Sequence, residues 1–499
     1  MQGRMRMTPS LRKELWRTPD LLGFAAHWTW IWCVFWSSLF YAEGTLLNSS
    51  GSTGAAAGLS TIALEPLWVT SLLANVVTIA FLLLLSYLRN PLSDVRCLPV
   101  LAAALTALGT LGISHPSLVM TGGGASTVYL AGSLLTGVGS GIVVVLWAEL
   151  LASLGSQRTV NYSVAALLLA AVAYLVISLL PIDAAQMIVA LLPLISMGCF
   201  VHFKRSVPRP PRAMRNVRVR AVPPMRMMVI AVFFGVSFGV MKGLIAPVGD
   251  EWIGVRDQLN IIAIAGGALA AFVAMGVCKM DFDHLTYQIA LPLMAAGFLF
   301  LPMHEPWNVI GTAVHQFGYQ YFYIVLWALW PVLASRGSVP TGWVVGWGLL
   351  CIQLGQFAGS VAAAIALTFV QSDLGLAMVS AGVIFAILII ALFAMGSGSA
   401  NTGWGFVKPM EEADAASDFE KAGTRLARRC RLSPREIEVF FLLAKGRNRA
   451  YIREELVIGD ETVKSHIKSI YRKADVHSQQ ELIDLLERES SADEARGRG

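Results

Sequence analysis

Residues 432–486 read LSPREIEVFFLLAKGRNRAYIREELVIGDETVKSHIKSIYRKADVHSQQELIDLL, and the order of residues here decides how the rest of the chain is understood. Ser433-Pro434-Arg435-Glu436 is a helix start. Serine caps, proline suits the first helical position, and a glutamate three residues after the serine closes a capping box. Ile437, Phe440, Phe441, Leu442 and Leu443 follow at helical spacing, and Gly446 stops the helix. A second helix is expected over 449–456, then a tight turn at Val457-Ile458-Gly459. A third, from about Asp460 to Ala474, turns Val463, Ile467, Ile470 and Ala474 inward. Its other faces carry Thr462, Lys464, Ser465, Lys468, Tyr471 and Arg472. Ser478-Gln479-Gln480-Glu481 opens a fourth helix with Leu482, Leu485 and Leu486 on its apolar side. Two short helices joined by a tight turn, the second basic and hydroxyl-rich outside, suit a DNA major groove. Charge alone would favour a small bundle with a basic solvated face.

The order of residues separates the two. The stretch resembles the DNA-binding domain of LuxR-type transcriptional regulators along its whole length. The resemblance rests on Ser433-Pro434-Arg435-Glu436, Glu438-Val439, Gly446, Ile452, Leu456, Ile458 and the Thr462-Val463-Lys464-x-His466 run. It implies double-stranded DNA as a partner, with Lys464 and Lys468 in the groove and Thr462 with the helix N-terminus on a phosphate. It also implies a homodimer through the last helix, with Leu482, Leu485 and Leu486 as contacts. Two positions depart from the family: Arg453, where alanine is usual, and Gly459, where a capping serine is usual. Asp460 is a substitute cap one residue later.

Upstream the composition changes character. The 499 residues are 56% apolar and 14% charged, with a mean hydropathy of +0.62, which excludes an ordinary soluble protein. The excess lies between Leu21 and Met395. Twelve runs there have the length of a membrane span: near 21–41, 67–88, 97–113, 128–151, 160–180, 187–203, 227–247, 261–278, 285–302, 309–334, 343–370 and 376–395. With the N-terminus inside, every Lys and Arg of the connecting segments except Arg256 falls on the inner side. Both ends are then cytoplasmic, as expected for a bacterial inner-membrane protein. The chain divides into a cytoplasmic N-terminus (1–20), halves 21–203 and 227–395 around a basic, proline-rich loop (204–226), a polar linker (396–424), the DNA-binding domain (425–490) and a tail (491–499). The expected fold is all-α: a bundle of about twelve membrane helices, six and six, followed by a small four-helix domain.

Two six-helix halves around a basic loop resemble the major facilitator superfamily of transporters. The loop after the second span, Tyr87-Leu88-Arg89-Asn90-Pro91-Leu92-Ser93-Asp94-Val95-Arg96, is a poor match to the Gly-x-x-x-Asp-Arg-like motif usual there. The six cysteines are scattered without metal-ligand spacing, so neither zinc nor a disulfide framework is expected. No Walker loop, GxSxG, HExxH or receiver-like acidic cluster occurs, so neither catalysis nor a cofactor is expected.

Ionisable residues inside spans are costly, which makes each a functional candidate. They are His27 and Glu43 on the first span, Glu149 on the fourth, Lys242 on the seventh and His315 on the tenth. The first, fourth, seventh and tenth helices line the cavity of the facilitator fold. Glu43 and Glu149 sit at span ends and read as interfacial. Trp28, Trp30, Trp32 and Trp36 form an aromatic wall or an interfacial belt. Lys242 and His315, with Gln316, Tyr319 and Gln320, are the expected binding site for a small molecule. No acid inside the second half's spans neutralises Lys242, so an anionic or strongly hydrogen-bonding ligand is expected unless Asp250 or Glu251 reaches back.

The reading is a membrane-embedded regulator that senses a small molecule through its bundle and binds DNA through its C-terminal domain. The alternative is a facilitator-like transporter with a fused regulatory domain. Proteolytic release of the tail is a third possibility.

Overall fold

The structure is a computed structural model. It describes residues 20–40, 66–88, 91–115, 123–154, 156–206, 225–244, 250–282, 284–337, 341–369, 375–384, 386, 422–423, 426–427, 429–444, 446, 448–456, 458–486 and 488. They fall into two compact units, up to residue 386 and from residue 422. Among the described residues there is no strand. Glu43, Arg89 and most of the basic loop and linker lie outside them, as do the side chains of Asp250 and Glu251.

The first unit contains α1 (Asp20–Phe35), α2 (Pro66–Leu88), α3 (Cys97–Ser114), α4 (Gly123–Ala152), α5 (Ser156–Ser178) and α6 (Ile182–Ser206). Then come α7 (Met225–Leu244), α8 (Asp250–Gly276), α9 (His284–Phe300, opening as a π-helix), α10 (Trp307–Gly337), α11 (Thr341–Phe369) and α12 (Gly375–Ile384). Nine of these helices are long and apolar enough to cross a membrane, and α1, α9 and α12 are shorter apolar helices. A lipid-facing helix is apolar on every side, because inward faces meet side chains and outward faces meet hydrocarbon. Large apolar side chains on the bundle's outside, such as Val77, Phe81, Val172 and Ile262, are accordingly exposed.

The halves repeat. α2 packs on α4 as α8 packs on α10, and α3 on α4 as α9 on α10. The halves meet through α2 with α11 and, correspondingly, α5 with α8. The closest pair is α7 with α11. A Cβ on Gly235 or Gly239 would run into the carbonyls of Ile352 and Gln356, and one on Gly355 or Gly359 into those of Val232 and Val236. Glycines four residues apart on both helices let the backbones touch. That contact sets α7 back behind α11.

Two expectations about buried charge change. Glu149 is 3% exposed rather than interfacial. Its carboxylate accepts the backbone N–H groups of Leu92 (3.1 Å) and Ser93 (2.8 Å), so it holds the 3-10 turn Leu92–Asp94 between α2 and α3. Lys204 at the end of α6 grips the same turn, pairing with Asp94 (2.9 Å) and donating to the Ser93 carbonyl. The second half does contain an acid. α8 begins at Asp250, eleven residues before the expected span, so Arg256 and Asp257 lie within it. They form a 3.3 Å ion pair in which Asp257 is buried.

The second unit contains α13 (Pro434–Ala444), α14 (Arg449–Leu456), α15 (Asp460–Ala474) and α16 (479–486). The Ser433 capping box closes, whereas at Ser478 only the side-chain cap forms and the carboxylate reaches one residue further back. Ser433 N–H donates to Glu436 (2.6 Å) and Glu436 N–H to the Ser433 hydroxyl (3.4 Å). Glu481 N–H donates to Ser478 (3.1 Å), while the Glu481 carboxylate accepts from His477 N–H (2.8 Å). Gly446 ends α13 at φ 76°, a left-handed conformation glycine adopts without steric cost. The core joins Val439, Phe440, Leu443, Ile452, Val463 and Ile470 to Ala422 and Leu426, so it begins upstream of residue 425.

Candidate functional site

The bundle contains a partly open cavity of about 100 Å³. From the first half it is lined by α1 and the residue after it (His27, Trp28, Ile31, Trp32, Phe35, Trp36), α2 (Trp68, Ser71, Leu72, Asn75) and α4 (Ser140, Val144). From the second half come α10 (Gln316, Tyr319, Gln320, Tyr323) and α11 (Ile352, Gln353, Gln356). On α10 the spacing i, i+3, i+4, i+7 is one helical face. Gln316, Tyr319, Gln320 and Tyr323 therefore line the cavity from one side of α10. The tryptophans are a wall and not a belt. Trp28, Trp32 and Trp36, at intervals of four, face the cavity, whereas Trp30 points away and donates to Thr110 (2.9 Å).

Lys242 and His315 do not line the cavity, and neither does any residue of α7. The glycine contact withdraws α7, and α11 takes its place. Lys242 lies behind the wall. Its ammonium donates to the Phe35 carbonyl at the end of α1 (2.9 Å) and sits 5.6 and 5.7 Å from the ring centres of Trp36 and Trp68. Two aromatic faces and a helix C-terminus give a cation what the sequence alone did not offer it. His315 points to the side of α10 that meets α9 and α7. It is 1% exposed, edge-on to Phe298, and its Nε2 is 3.2 Å from the Ser237 hydroxyl.

Inside the cavity, Gln356 donates to the Tyr319 hydroxyl (2.7 Å) and Asn75 to Ser140 (3.0 Å). Five further buried polar atoms of the lining have no partner: His27 Nε2, Trp28 Nε1, Asn75 Oδ1, Gln320 Nε2 and Gln353 Oε1. Leaving such an atom buried and unpaired costs about 1–3 kcal/mol. Five around one space set it apart from a packed core and make it the candidate site of the bundle. Among the described residues no group of His, Cys, Asp and Glu is placed to hold a metal.

In the second unit, α15 presents Thr462, Lys464, Ser465, Lys468 and Arg472 to solvent. Tyr471 departs from the expectation: it is half-buried and packs on the core. The first turn of α15 is acidic. Asp460 is not the cap but pairs with Arg449 of α14 (3.2 Å), and Glu461 pairs with Lys464 (3.6 Å). Gly459 is the cap residue, at φ −65°, with no side-chain bond to the helix. Arg453 is exposed, so it crowds neither helix.

A feature the sequence left unread lies behind α15. Glu436 closes its own capping box and also accepts Ser469 Oγ (2.7 Å) and Lys473 Nζ (2.6 Å). Burial pushes its carboxyl up, but Lys473, the Ser433 N–H and Ser469 outweigh that and hold it at about 2. One carboxylate thus fixes α15 against α13. The expected dimer contacts need correction. Leu482 (0% exposed) and Leu486 (1%) are spent on the domain's own core, and only Leu485 is partly open. The family resemblance implied all three as dimer contacts, but a domain this small needs Leu482 and Leu486 for its interior.

Residues 431–486 match the family described as bacterial regulatory proteins, luxR family. Over 64 residues the chain is 36% identical to the HTH-type transcriptional activator RamA of Corynebacterium glutamicum, covering 13% of this chain and 23% of that protein. The chain spans less than a quarter of the length of this curated relative. The first unit is similar to the proton:xylose symporter XylE of the major facilitator superfamily (TM-score 0.56, 12% identity, 79% of this chain and 97% of that one). It is also similar to the human organic anion transporter MFSD10 (TM-score 0.52, 16% identity, 77% and 100%). At such identities the likeness fixes the fold alone. A bundle with the major facilitator fold precedes a LuxR-type helix-turn-helix domain.

Proposed function

We propose that this chain is a membrane-embedded transcriptional regulator. Its bundle binds a small molecule, and its C-terminal domain binds double-stranded DNA. The observation that carries this reading is the presence, in one chain, of a LuxR-type domain and a cavity rimmed by five unpartnered polar atoms. The Lys and Arg bias supports an inner-membrane protein with both ends cytoplasmic, where DNA is accessible. Ligand binding shifts the domain's output only if the ligand has different affinities for two bundle conformations. Gln316, Tyr319 and Gln320 contact the ligand from α10. Lys242 and His315 act behind it, Lys242 by tying α7 to the end of α1.

On DNA, Lys464 and Lys468 enter the groove while Ser465 and Arg472 flank them. The acidic first turn makes a phosphate at Thr462 depend on Arg449 neutralising Asp460. Pairing on an inverted repeat uses Leu485 and the polar face of α16. Lys464→Ala with Lys468→Ala should weaken specific binding by about 1–3 kcal/mol per base contact in a gel-shift titration, and unchanged affinity would refute the assignment of α15. Transcript profiling with and without the gene tests the regulatory reading.

The likeness of the bundle to transporters favours a second reading, a transporter regulated by its own domain. Uptake into proteoliposomes of whatever molecule changes the transcript profile decides between them, because a pure sensor binds without moving its ligand.

A further inference from the structure

The cavity lining contains no Lys, Arg, Asp or Glu among the described residues. A charged ligand entering it would lose its water and meet no counter-charge, at a cost of several kcal/mol per ion. Lys242, behind the wall, is engaged by the Phe35 carbonyl and the faces of Trp36 and Trp68. What the lining does offer is hydrogen bonding of both kinds. Trp28 Nε1 and Gln320 Nε2 are donors, Asn75 Oδ1 and Gln353 Oε1 are acceptors, and His27 Nε2 serves as either. The Tyr319 hydroxyl accepts from Gln356 and so keeps its own hydrogen to donate. Around these atoms stand flat apolar walls. Trp28 meets Tyr323 edge-on (ring centres 5.6 Å apart) and Trp36 meets Trp68 (6.5 Å).

We propose that the cavity selects an uncharged, ring-shaped small molecule carrying at least two hydrogen-bond donors and two acceptors. This rests on the sensing reading above and names the chemistry of its ligand, which is the strongly hydrogen-bonding and not the anionic one of the two kinds expected from the sequence. The ring lies against the tryptophans, while the amides of Asn75, Gln320 and Gln353 and the Trp28 N–H read its edge. A polyhydroxylated ring and a planar ring amide share this chemistry.

The test uses the full-length protein in lipid nanodiscs and matched probes that differ in charge. D-glucose is compared with glucuronate and glucosamine, and nicotinamide with nicotinate. Tryptophan emission and thermal unfolding are followed as each is titrated to high millimolar concentration. A neutral probe should shift the emission and raise the melting temperature, with its charged counterparts weaker by about tenfold or more. Which neutral probe responds tells the two ring types apart. A charged member binding as tightly as its neutral partner, or no neutral probe registering, overturns the proposal. The sensing reading is judged separately, on a transcriptional reporter. If Gln320→Leu and the milder Gln320→Asn both leave reporter output and its regulation unchanged, that reading fails. If they abolish regulation while a charged probe wins in the nanodisc, only the ligand class falls.

Discussion

The two units treat their buried polar groups in opposite ways. In the C-terminal unit Glu436, the one buried carboxylate among the described residues, takes hydrogen bonds from Ser433, Ser469 and Lys473, and apolar residues of all four helices join one core. In the bundle, five polar atoms stand around a cavity with no protein partner. Full satisfaction rigidifies, and it suits a domain that must hold a recognition helix at fixed register. Partial satisfaction costs stability, and it suits a unit that must recognise something else. The bundle is not uniformly lax, however: Glu149 holds its turn with both oxygens occupied. Among the described residues the unpartnered groups are the five of the cavity, the ring groups of Tyr321, Trp327, Trp330 and Trp347, and the hydroxyls of Ser163 and Ser380.

The largest effect that would break the comparison is at Leu482. If the C-terminal interior is fully used, Leu482→Ala should cost about 2–5 kcal/mol, read by thermal unfolding of the fragment Met410–Gly499. Unchanged stability with loss of dimerisation would return Leu482 to an interface. Next comes Glu436. Glu436→Gln should cost about 1.5–3 kcal/mol, since it removes charge-assisted bonds to Lys473 and Ser469. The pH dependence follows from the depressed carboxyl. Its contribution is fully present above the ordinary value of 4.5 and is lost as pH falls toward about 2, so acid unfolding of the wild type should be steep in that window and flatter in Glu436→Gln. Equal acid profiles would mean the network does not carry that weight.

The bundle should respond with the opposite sign. Gln320→Leu removes an unpaired donor, so the full-length protein should melt no lower, and up to about 1 kcal/mol more stably, in nanodiscs. A marked loss of stability would show that Gln320 is as fully used as Glu436, and the contrast would collapse. The smallest effect is at Gly459. A Cβ there lies 3.7 Å from Thr462 Oγ1, an ordinary contact, and the backbone is already extended. Gly459→Ser should therefore raise stability by a few tenths of a kcal/mol, about the difference between glycine and serine at a cap. A fall in melting temperature would mean that the close approach of Asp460 and Arg449 has no room for it.

What the sequence determined by itself was whatever is encoded locally. Ser433 with Glu436, and Gly446, each act within one turn of the chain and are found as the residues specify, and Ser478 caps its helix although Glu481 takes the His477 N–H. That the upstream unit is a set of apolar helices was legible because crossing hydrocarbon demands a continuous apolar run, although the start of α8 at Asp250 was not. Tertiary structure alone decided which way each helix faces. On α10, His315 and Gln316 are neighbours of equal promise, and only the packing of α9 and α7 against one side turns Gln316 to the cavity and His315 away from it. Lys242 looked like an ammonium without a partner until α1 brought it the Phe35 carbonyl and two tryptophans. Glu149 looked interfacial until the turn after α2 folded over it. The physical reason is common to all three. In a soluble helix the apolar stripe marks the inward side, as it does for Val463 and Ile470, whereas a membrane helix is apolar all round, and its sequence carries no such mark.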